Sequence, residues 1–324
     1  MKAFPRTYIA IVLLLLCLSG CASPSIQVPD DTPPAAEDVQ TVPSSQPTEP
    51  TASSTVPSMP PESQPEQPGL PELQKPEPVD SDFVRIRDYI PDLVVHLPYA
   101  TDKNFTGQVI YDFSEPWLRY GTVKKLIRVQ ALLKEQGFQM MIWDGFRPTA
   151  AQFRLWEICP DPVYVSNPYN GFSSHSRGNT LDLTLLDATG QPLTMPTGFD
   201  DFSTLADRDY TDCTPEAAEN ALLLEQIMTE CGFKGYYGEW WHYSDTQAYP
   251  VDETFLPIAP AEYTPDCEEF ISLRTAPSTS AEVITRIPVG EAFQVVALHG
   301  DFALAEYRGV LGYVLRSYIQ PADS

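Results

Sequence analysis

The sequence predicts an α+β domain followed by a small all-β domain. Residues 81–256 combine segments with helical spacing of apolar residues and short strand-like runs. Residues 263–322 contain only short strand-like runs between turn residues. Because helices and long loops interrupt the strands of the first part, α+β is favoured over a doubly wound sheet.

The first 80 residues are predicted to stand apart from both domains. Residues 1–21 have a basic start and an apolar core too short to span a bilayer, which is typical of a signal peptide. Leu18-Ser-Gly-Cys21 resembles the lipobox of bacterial lipoproteins, which implies lipid on Cys21 and an extracytoplasmic, membrane-anchored protein at the cell surface or in the periplasm. An ordinary signal peptide is the alternative. Residues 22–80 hold 15 of the 33 prolines and no aromatic residue, so a disordered acidic linker is predicted.

Net charge and cysteine content narrow the environment. The formal net charge is −24, which argues against nucleic acid as a partner. Outside the cytoplasm, Cys159, Cys213, Cys231 and Cys267 are expected to form structural disulfides, in any of three pairings. Metal ligation by these cysteines is the alternative, but no pair has close ligand spacing.

The elements of residues 81–256 follow from periodicity and turn signals. Apolar spacing predicts a helix from Glu115 to Gln136, and Pro148 opens a second one that reaches about Ile158. A third helix runs from about Pro215 to Gly232. The predicted strands are Phe138–Trp143, Asn179–Leu186 and Phe233–Tyr243.

The C-terminal strands resemble a known small domain. The predicted strands are Phe270–Leu273, Val283–Ile287, Ala292–Leu298, Phe302–Tyr307 and Val310–Leu315. Their order around Leu273-Arg-Thr-Ala-Pro-Ser278, Ile287-Pro-Val-Gly290 and Gly312-Tyr-Val314 resembles bacterial SH3-like domains. The resemblance implies a small barrel that contacts cell-wall polymer. His299 lies at a Gly-Asp turn and is interpreted as a solvated loop histidine.

Two segments carry the residues of a candidate metal site. They are Ser173-Ser-His-Ser-Arg-Gly-Asn-Thr-Leu-Asp182 and Glu239-Trp-Trp-His242, which contain two of the four histidines. Two imidazoles and one carboxylate can hold one Zn²⁺ and leave a fourth position for water, and a spare glutamate can take the proton of that water. The segments therefore predict a zinc hydrolase.

The spacing of these residues constrains their local structure. His175 and Asp182 are seven residues apart, so a single straight strand would direct them to opposite faces. Gly178 offers a bend, which places His175 on the loop before the strand and Asp182 on its polar face. Glu239 and His242 are three residues apart, which is also an odd number, so a bulge or a strand end near Trp240-Trp241 is expected.

The motifs resemble those of the zinc D-alanyl-D-alanine peptidases. Ser-x-His-x-x-Gly-x-x-x-Asp with Glu-x-x-His is similar to the zinc site of this family, and three further stretches resemble its VanX-type dipeptidase branch. These are Tyr99-Ala-Thr-Asp-Lys-Asn-Phe-Thr-Gly107, Trp143-Asp-Gly-Phe-Arg-Pro148, and Phe199-Asp200 after Met195. The resemblance covers residues 82–250 and implies a Hedgehog/DD-peptidase-like fold.

The resemblance also implies a role for each matching residue. His175, Asp182 and His242 would ligate Zn²⁺, Glu239 would be the general base, and Arg147 would stabilise the oxyanion. Tyr99 and Asp200 would hold the amino group of the substrate, although Asp201 could replace Asp200. Ser173 would lie near the substrate carboxylate. His96 is interpreted as a core or surface residue.

Three functions are compatible with these residues. The first is hydrolysis of D-alanyl-D-alanine or related dipeptides outside the cytoplasm. The second is a D,D-carboxypeptidase or endopeptidase activity on peptidoglycan stem peptides, which the SH3-like domain and the expected location favour. The third is a wall-binding lipoprotein with an inert peptidase domain, which the complete set of ligands, base and arginine disfavours.

Overall fold

The computed structural model describes residues 73–322. The predicted signal peptide, Cys21 and most of the predicted linker lie outside these residues. The end of that linker is packed rather than disordered: Leu73 contacts the core of the C-terminal sheet, and the Lys75 ammonium lies 5.2 Å from the centre of the Tyr89 ring. None of the helices between residues 73 and 322 has the length and apolar character needed to span a bilayer.

The N-terminal domain contains three α-helices and seven strands, besides short 3₁₀ turns. The helices are α1 (Tyr120–Glu135), α2 (Thr149–Ile158) and α3 (Pro215–Glu230). The strands are β1 (Phe83–Arg85), β2 (Val94–Val95), β3 (Trp117–Arg119), β4 (Phe138–Asp144), β5 (Thr180–Asp187), β6 (Phe233–Tyr236) and β7 (Glu239–Asp245). This is the predicted α+β arrangement.

The central sheet has the strand order β2-β4-β5-β7-β6. Its one parallel pair is β2 with β4, and its other pairs are antiparallel. On β5, the side chains of Leu181, Leu183 and Leu185 enter the core that also contains residues of α1 and α3. Because strand side chains alternate, Asp182 and Thr184 are directed to the opposite face. The strand therefore has an apolar face in the core and a polar face for chemistry, as its alternation predicts.

Two element predictions differ from the structure. The predicted helix from Glu115 begins too early, because Trp117–Arg119 form β3 and pair with β1. The predicted strand Phe233–Tyr243 is a hairpin of β6 and β7, with a register irregularity beside Tyr236. Both differences come from pairing with segments distant in sequence or from a turn, which apolar periodicity does not report.

The C-terminal region is all-β. Its strands are β8 (Phe255–Pro265), β9 (Phe270–Arg274), β10 (Val283–Pro288), β11 (Phe293–His299), β12 (Phe302–Tyr307), β13 (Val310–Leu315) and β14 (Ile319–Pro321). They form one sheet, the C-terminal sheet, with the order β10-β9-β13-β12-β11-β8-β14. β8 occupies the interval that the sequence left between the two predicted domains, and it pairs with β11 and β14.

The sheet packs against the N-terminal domain through a shared core. Phe255 of β8 lies in one hydrophobic cluster with Phe83, Trp117 and Phe146 of the N-terminal domain.

The prediction that His299 is a solvated loop histidine is wrong. His299 ends β11, its side chain is 21% exposed, and its Nε2 lies 3.2 Å from Oδ2 of Asp252. The turn signal beside His299 could not show that this face of the sheet is covered by another domain.

The predicted disulfides are also wrong, because all four described cysteines are free thiols. Cys213 precedes α3 and Cys231 follows it, so about 25 Å of helix separates them. Cys159 and Cys267 pack against two different hydrophobic clusters. A disulfide needs Cα atoms within about 7 Å, which this separation of Cys213 and Cys231 does not allow.

Candidate metal centre and active site

Adjacent strands bring the candidate ligands together. In the central sheet, Asp182 of β5 is paired with Asp144 of β4 on one side and with His242 of β7 on the other. His175 lies in the 3₁₀ turn Ser174–Arg177 that leads into β5, as predicted. Gly178 ends this turn with φ of 73°, a left-handed conformation that favours glycine. The turn allows a residue seven positions before Asp182 to reach the same face.

The atoms of His175, Asp182 and His242 have the spacing of a shared metal site. Nε2 of His175 lies 3.3 Å from Nδ1 of His242 and 3.4 Å from Oδ2 of Asp182. Oδ1 of Asp182 lies 3.1 Å from Nδ1 of His242. Ligands about 2.0–2.1 Å from one tetrahedral Zn²⁺ are about 3.3 Å apart. The three side chains therefore fit a small divalent cation.

Hydrogen bonding supports this fit. Nδ1 of His175 lies 2.8 Å from the carbonyl oxygen of Gly145, which only accepts, so Nδ1 carries a proton. Nε2 of a neutral His175 is then left with a lone pair directed at the other two residues. Oδ1 of Asp182 is buried and accepts no hydrogen bond, which is costly without a cation. A carbonyl behind a ligating histidine is a common arrangement at metal sites.

The carboxylate of Glu239 lies beside the three candidate ligands. Its Oε2 is 3.4 Å from Nδ1 of His242, and its side chain is 30% exposed. Burial raises the pKa of Glu239 above its usual value, although the His242 imidazole opposes this. A carboxylate with a raised pKa at the edge of a cavity can accept a proton from water and release it again.

Arg147 is held rigidly at the same cavity. Its Nη2 and Nε donate to Oδ2 of Asp144 at 2.7 and 3.1 Å, and its Nη1 donates to Oε1 of Gln152 at 3.1 Å. Burial lowers the pKa of Arg147, but the Asp144 carboxylate outweighs this and keeps the guanidinium charged. This is not a surface ion pair, because the Arg147 side chain is 11% exposed and Asp144 is fully buried.

Tyr99, which is buried, and Asp200, which is half-buried, form a pair beside the candidate ligands. The Tyr99 hydroxyl donates to Oδ2 of Asp200 at 2.8 Å. Burial raises the pKa of Asp200 to about 7, although the bond from Tyr99 opposes this. Asp201 instead accepts a hydrogen bond from the backbone N–H of Ser203 on the surface. Of the two neighbouring aspartates, Asp200 is the one that faces the site.

All predicted site residues except Cys21, which lies outside the described residues, line one cavity of about 280 Å³. Ser173 lies at its wall, where its hydroxyl accepts from the backbone N–H of His175 at 3.4 Å. The lining residues are Tyr99, Arg147, Pro162, Val163, Tyr164, Ser166, Ser173, Ser174, His175, Asp182, Asp200, Phe202, Tyr236, Glu239, Trp241 and His242. His96 is exposed and lies elsewhere, as interpreted from the sequence.

Sequence reasoning missed one central residue of the site. Asp144 is fully buried, and besides Arg147 it accepts hydrogen bonds from the Tyr111 hydroxyl and from the backbone N–H of Gly145, each at 2.8 Å. Its Oδ2 also lies 3.7 Å from Nδ1 of His175. The sequence did contain a signal for Asp144, because this residue lies three positions before Arg147 in the stretch Trp143–Pro148. Tyr164, Phe202 and Tyr236 form an aromatic wall of the cavity, and no motif in the sequence indicated them.

The comparisons with known proteins agree with this geometry. Residues 80–260 match the peptidase family described as D-ala-D-ala dipeptidase, Peptidase_M15. The chain belongs to this family. Residues 269–320 match the family described as bacterial SH3 domain, which agrees with the all-β sheet that follows the peptidase domain. As a member of this peptidase family, the protein is a metallopeptidase of the α+β class with an SH3-like domain.

Two relatives and one solved structure are similar to this chain over most of their own length. A D-alanyl-D-alanine dipeptidase of Escherichia coli (strain K12) is 39% identical over 173 residues, which cover 53% of this chain and 89% of the relative. One of Enterococcus faecium is 32% identical over 166 residues, 45% of this chain and 82% of the relative. A solved vancomycin-resistance D,D-pentapeptidase, VanY with Zn(II), is 14% identical, with a TM-score of 0.29 over 41% of this chain and 74% of that one.

Proposed function

We propose that the protein hydrolyses D-alanyl-D-alanine or closely related D-amino-acid dipeptides, using one Zn²⁺ held by His175, Asp182 and His242. The observation that carries this proposal is a single cavity lined by the three candidate ligands together with Glu239 and Arg147. The name shared by the family members above supports the same substrate. The cavity volume of about 280 Å³ is near the lower limit of small-molecule sites, about 300 Å³, which suits a dipeptide.

The residues divide the reaction among them. When bound, Zn²⁺ supplies a Lewis acid that polarises the scissile carbonyl and lowers the pKa of water. Glu239 takes the proton of the attacking water and delivers it to the leaving amine. Arg147, fixed by Asp144 and Gln152, stabilises the negative charge that develops on the carbonyl oxygen. A rigidly held cation is effective because it needs no reorganisation during the reaction.

The Tyr99–Asp200 pair would determine the preference for a free amino terminus. An ionised Asp200 pairs with the substrate ammonium, and the Tyr99 hydroxyl orients that carboxylate. A blocked amino terminus would leave the half-buried Asp200 carboxylate with the Tyr99 hydroxyl but without a cationic partner, which costs several kcal/mol. Ser173 lies at the wall of the same cavity and is proposed to contact the substrate carboxylate.

The decisive experiment compares three substrates with the purified, zinc-loaded protein. We expect release of D-alanine from free D-alanyl-D-alanine, and at least about 100-fold lower kcat/KM for the N-acetylated dipeptide. A stem pentapeptide that ends in D-alanyl-D-alanine should be cleaved no better than the N-acetylated dipeptide. Cleavage of the pentapeptide alone would instead establish a D,D-carboxypeptidase or endopeptidase.

A matched variant tests the assignment of the base. Glu239→Gln keeps the size of the side chain but removes its basicity, so kcat should fall about 10²- to 10⁴-fold. Zinc content, measured by mass spectrometry, should remain near one ion per chain. Full activity of this variant would contradict the assignment, and the absence of stoichiometric zinc in the wild-type protein would indicate an inert peptidase domain.

Location and further partners form a second part of the proposal. The Leu18–Cys21 sequence supports lipid attachment at Cys21 and a membrane-anchored protein outside the cytoplasm. The SH3-like domain supports contact with cell-wall polymer. Incorporation of a labelled fatty acid should be lost in Cys21→Ala, and the full-length protein should sediment with insoluble peptidoglycan. Labelling of the alanine variant, or protein that stays in the supernatant, would refute the respective part.

A further inference from the structure

The contact between the two domains lies directly behind the active site. The Phe255 ring of β8 stacks on the Phe83 ring with a centroid distance of 4.2 Å. Its centroid lies 5.6 Å from that of Phe146 and 5.4 Å from that of Trp117. Phe255, Phe146 and Trp117 are each at most 2% exposed. Phe255 belongs to the C-terminal sheet, although it lies within the residues that match the peptidase family. An aromatic residue of the C-terminal sheet therefore fills the space behind the loop that carries Arg147.

Phe146 links this core to two functional atoms. It lies between Arg147 and Gly145, whose carbonyl oxygen is 2.8 Å from Nδ1 of His175. The backbone N–H of Phe146 donates to the carbonyl of Trp117 at 2.8 Å, which fixes the loop from behind. If Phe146 shifts, both the Arg147 guanidinium and the carbonyl that orients His175 shift with it.

Phe83 reaches a second active-site loop. A Cβ atom added to Gly178 would overlap Cε1 of Phe83, so the ring packs closely against the end of the turn that holds His175. The centroids of Phe83 and Phe146 are 4.4 Å apart. The ring of Phe83 is thus enclosed by both active-site loops and by Phe255 of the C-terminal sheet.

A polar link runs parallel to the aromatic one. Nε2 of His299 lies 3.2 Å from Oδ2 of Asp252, and the same oxygen lies 3.9 Å from Nη2 of Arg119. Arg119 donates from Nε to the carbonyl of Arg177 at 3.1 Å, and its backbone N–H donates to the carbonyl of Gly178 at 2.8 Å. The link therefore ends on the turn that holds His175.

We infer that the C-terminal sheet supports the peptidase active site, with Phe255 of β8 and His299 of the SH3-like part as positioning residues. Phe255 holds the loops of Arg147 and His175 through Phe146 and Phe83, and His299 holds the His175 turn through Asp252 and Arg119. This inference rests on the proposed function for its effect on the reaction. Its effect on metal affinity does not depend on the identity of the substrate.

A pair of matched substitutions tests the aromatic link. Phe255 and Phe293 are 2% and 3% exposed on neighbouring strands, but Phe293 faces the separate core of the SH3-like sheet. In the full chain, Phe255→Leu should lower kcat at least about tenfold and raise the zinc Kd about 10- to 100-fold, with KM changed less than threefold. Phe293→Leu should change each value less than threefold.

The measurements are steady-state kinetics and competition for zinc with a chromophoric chelator, at a temperature where both variants are fully folded. Equal effects of the two substitutions, or no effect of Phe255→Leu on kcat and zinc Kd, would overturn the inference. If the wild type does not cleave the dipeptide, the proposed function fails, and the zinc Kd values still decide the inference.

A second pair of substitutions, at His299, tests the polar link. It also keeps the inference testable if the Phe255 variant does not fold. His299→Ala removes the contact with Asp252 and should raise the zinc Kd about three- to tenfold. His299→Gln retains a side-chain N–H donor and should keep the zinc Kd within twofold of the wild type. A zinc Kd that is equal in the two His299 variants would refute the role of this link.

Discussion

Asp200 shows how much of the site is decided at single residues. It has φ of 55°, which is uncommon for a residue with a side chain but tolerated by aspartate and asparagine. This conformation directs Asp200 toward Tyr99, whereas the neighbouring Asp201 stays on the surface. The sequence Asp200-Asp201 predicts an acidic residue here but does not distinguish the two, because backbone conformation selects between them.

The raised pKa of Asp200 predicts a pH-dependent cost of folding. The pKa of about 7 in the folded protein exceeds the value of about 3.9 expected for an unfolded chain. The folded state therefore binds the proton more tightly, and its stability decreases as the pH rises from about 4 to 7. Asp200→Asn removes this cost. The free energy of unfolding of Asp200→Asn minus that of the wild type should therefore be about 2 to 3 kcal/mol larger at pH 8 than at pH 5.

Urea unfolding of the metal-free proteins at the two pH values measures this difference. Metal-free protein is used because a cation in the site would stabilise the Asp200 carboxylate and lower its pKa. Asp201→Asn is the matched control, because hydrogen bonds from Ser203 lower the Asp201 pKa and outweigh the opposing effect of burial. An equal difference between Asp200→Asn and the wild type at both pH values would contradict the prediction.

At the scale of elements, β5 and the turn before it carry the site. Gly178 ends this turn with φ of 73°, and its α-carbon packs against the Phe83 ring. Gly190 follows the same strand with φ of 83°, but a Cβ atom there would meet no atom within 4 Å. Alanine substitutions at the two glycines therefore share the cost of a left-handed backbone, and only the substitution at Gly178 adds the cost of a steric overlap.

Gly178→Ala should therefore be more destabilising than Gly190→Ala. A left-handed alanine costs about 1 to 2 kcal/mol, and overpacking adds about 1 to 3 kcal/mol at Gly178 only. We expect a loss of about 2 to 5 kcal/mol for Gly178→Ala and about 1 to 2 kcal/mol for Gly190→Ala in chemical unfolding. Similar losses would show that the Phe83 ring moves away without cost.

The elements also show where sequence reasoning stops. The predicted strands Phe302–Tyr307 and Val310–Leu315 have the observed bounds, because their apolar patterns and turn residues are local signals. The helix predicted from Glu115 was wrong at its start, because pairing with β1 makes Trp117–Arg119 a strand. Long-range pairing overrides local periodicity, and a single sequence does not contain that information.

At the scale of the whole molecule, metal binding should contribute directly to stability. An ion that binds only the folded protein adds RT ln(1 + [Zn²⁺]/Kd), which is about 2.7 kcal/mol at 100 times the Kd. For a protein of this size, the Tm should rise by about 5 to 11 °C. Thermal unfolding with a zinc-buffered solution and with a chelator measures the shift.

The control for this shift removes a candidate ligand. His175→Ala should reduce the zinc-dependent rise of the Tm to less than about 2 °C, because the remaining two ligands bind zinc weakly. A shift of wild-type size in this variant would show that zinc binds elsewhere. His96→Ala changes an exposed histidine outside the cavity, so its shift should equal that of the wild type.

A zinc hydrolase could be predicted from the amino-acid sequence alone. The spacing of His175, Asp182, Glu239 and His242 indicated the metal site, the resemblance to the peptidase family implied the role of Arg147, and the family match agrees with both. The three-dimensional fold was needed to show that Asp144 holds Arg147, that Asp200 rather than Asp201 faces the cavity, and that Phe255 and His299 reach the active-site loops. These features depend on strand pairing, on the backbone conformation at Asp200 and on packing between domains. None of these leaves a periodic signal along the chain.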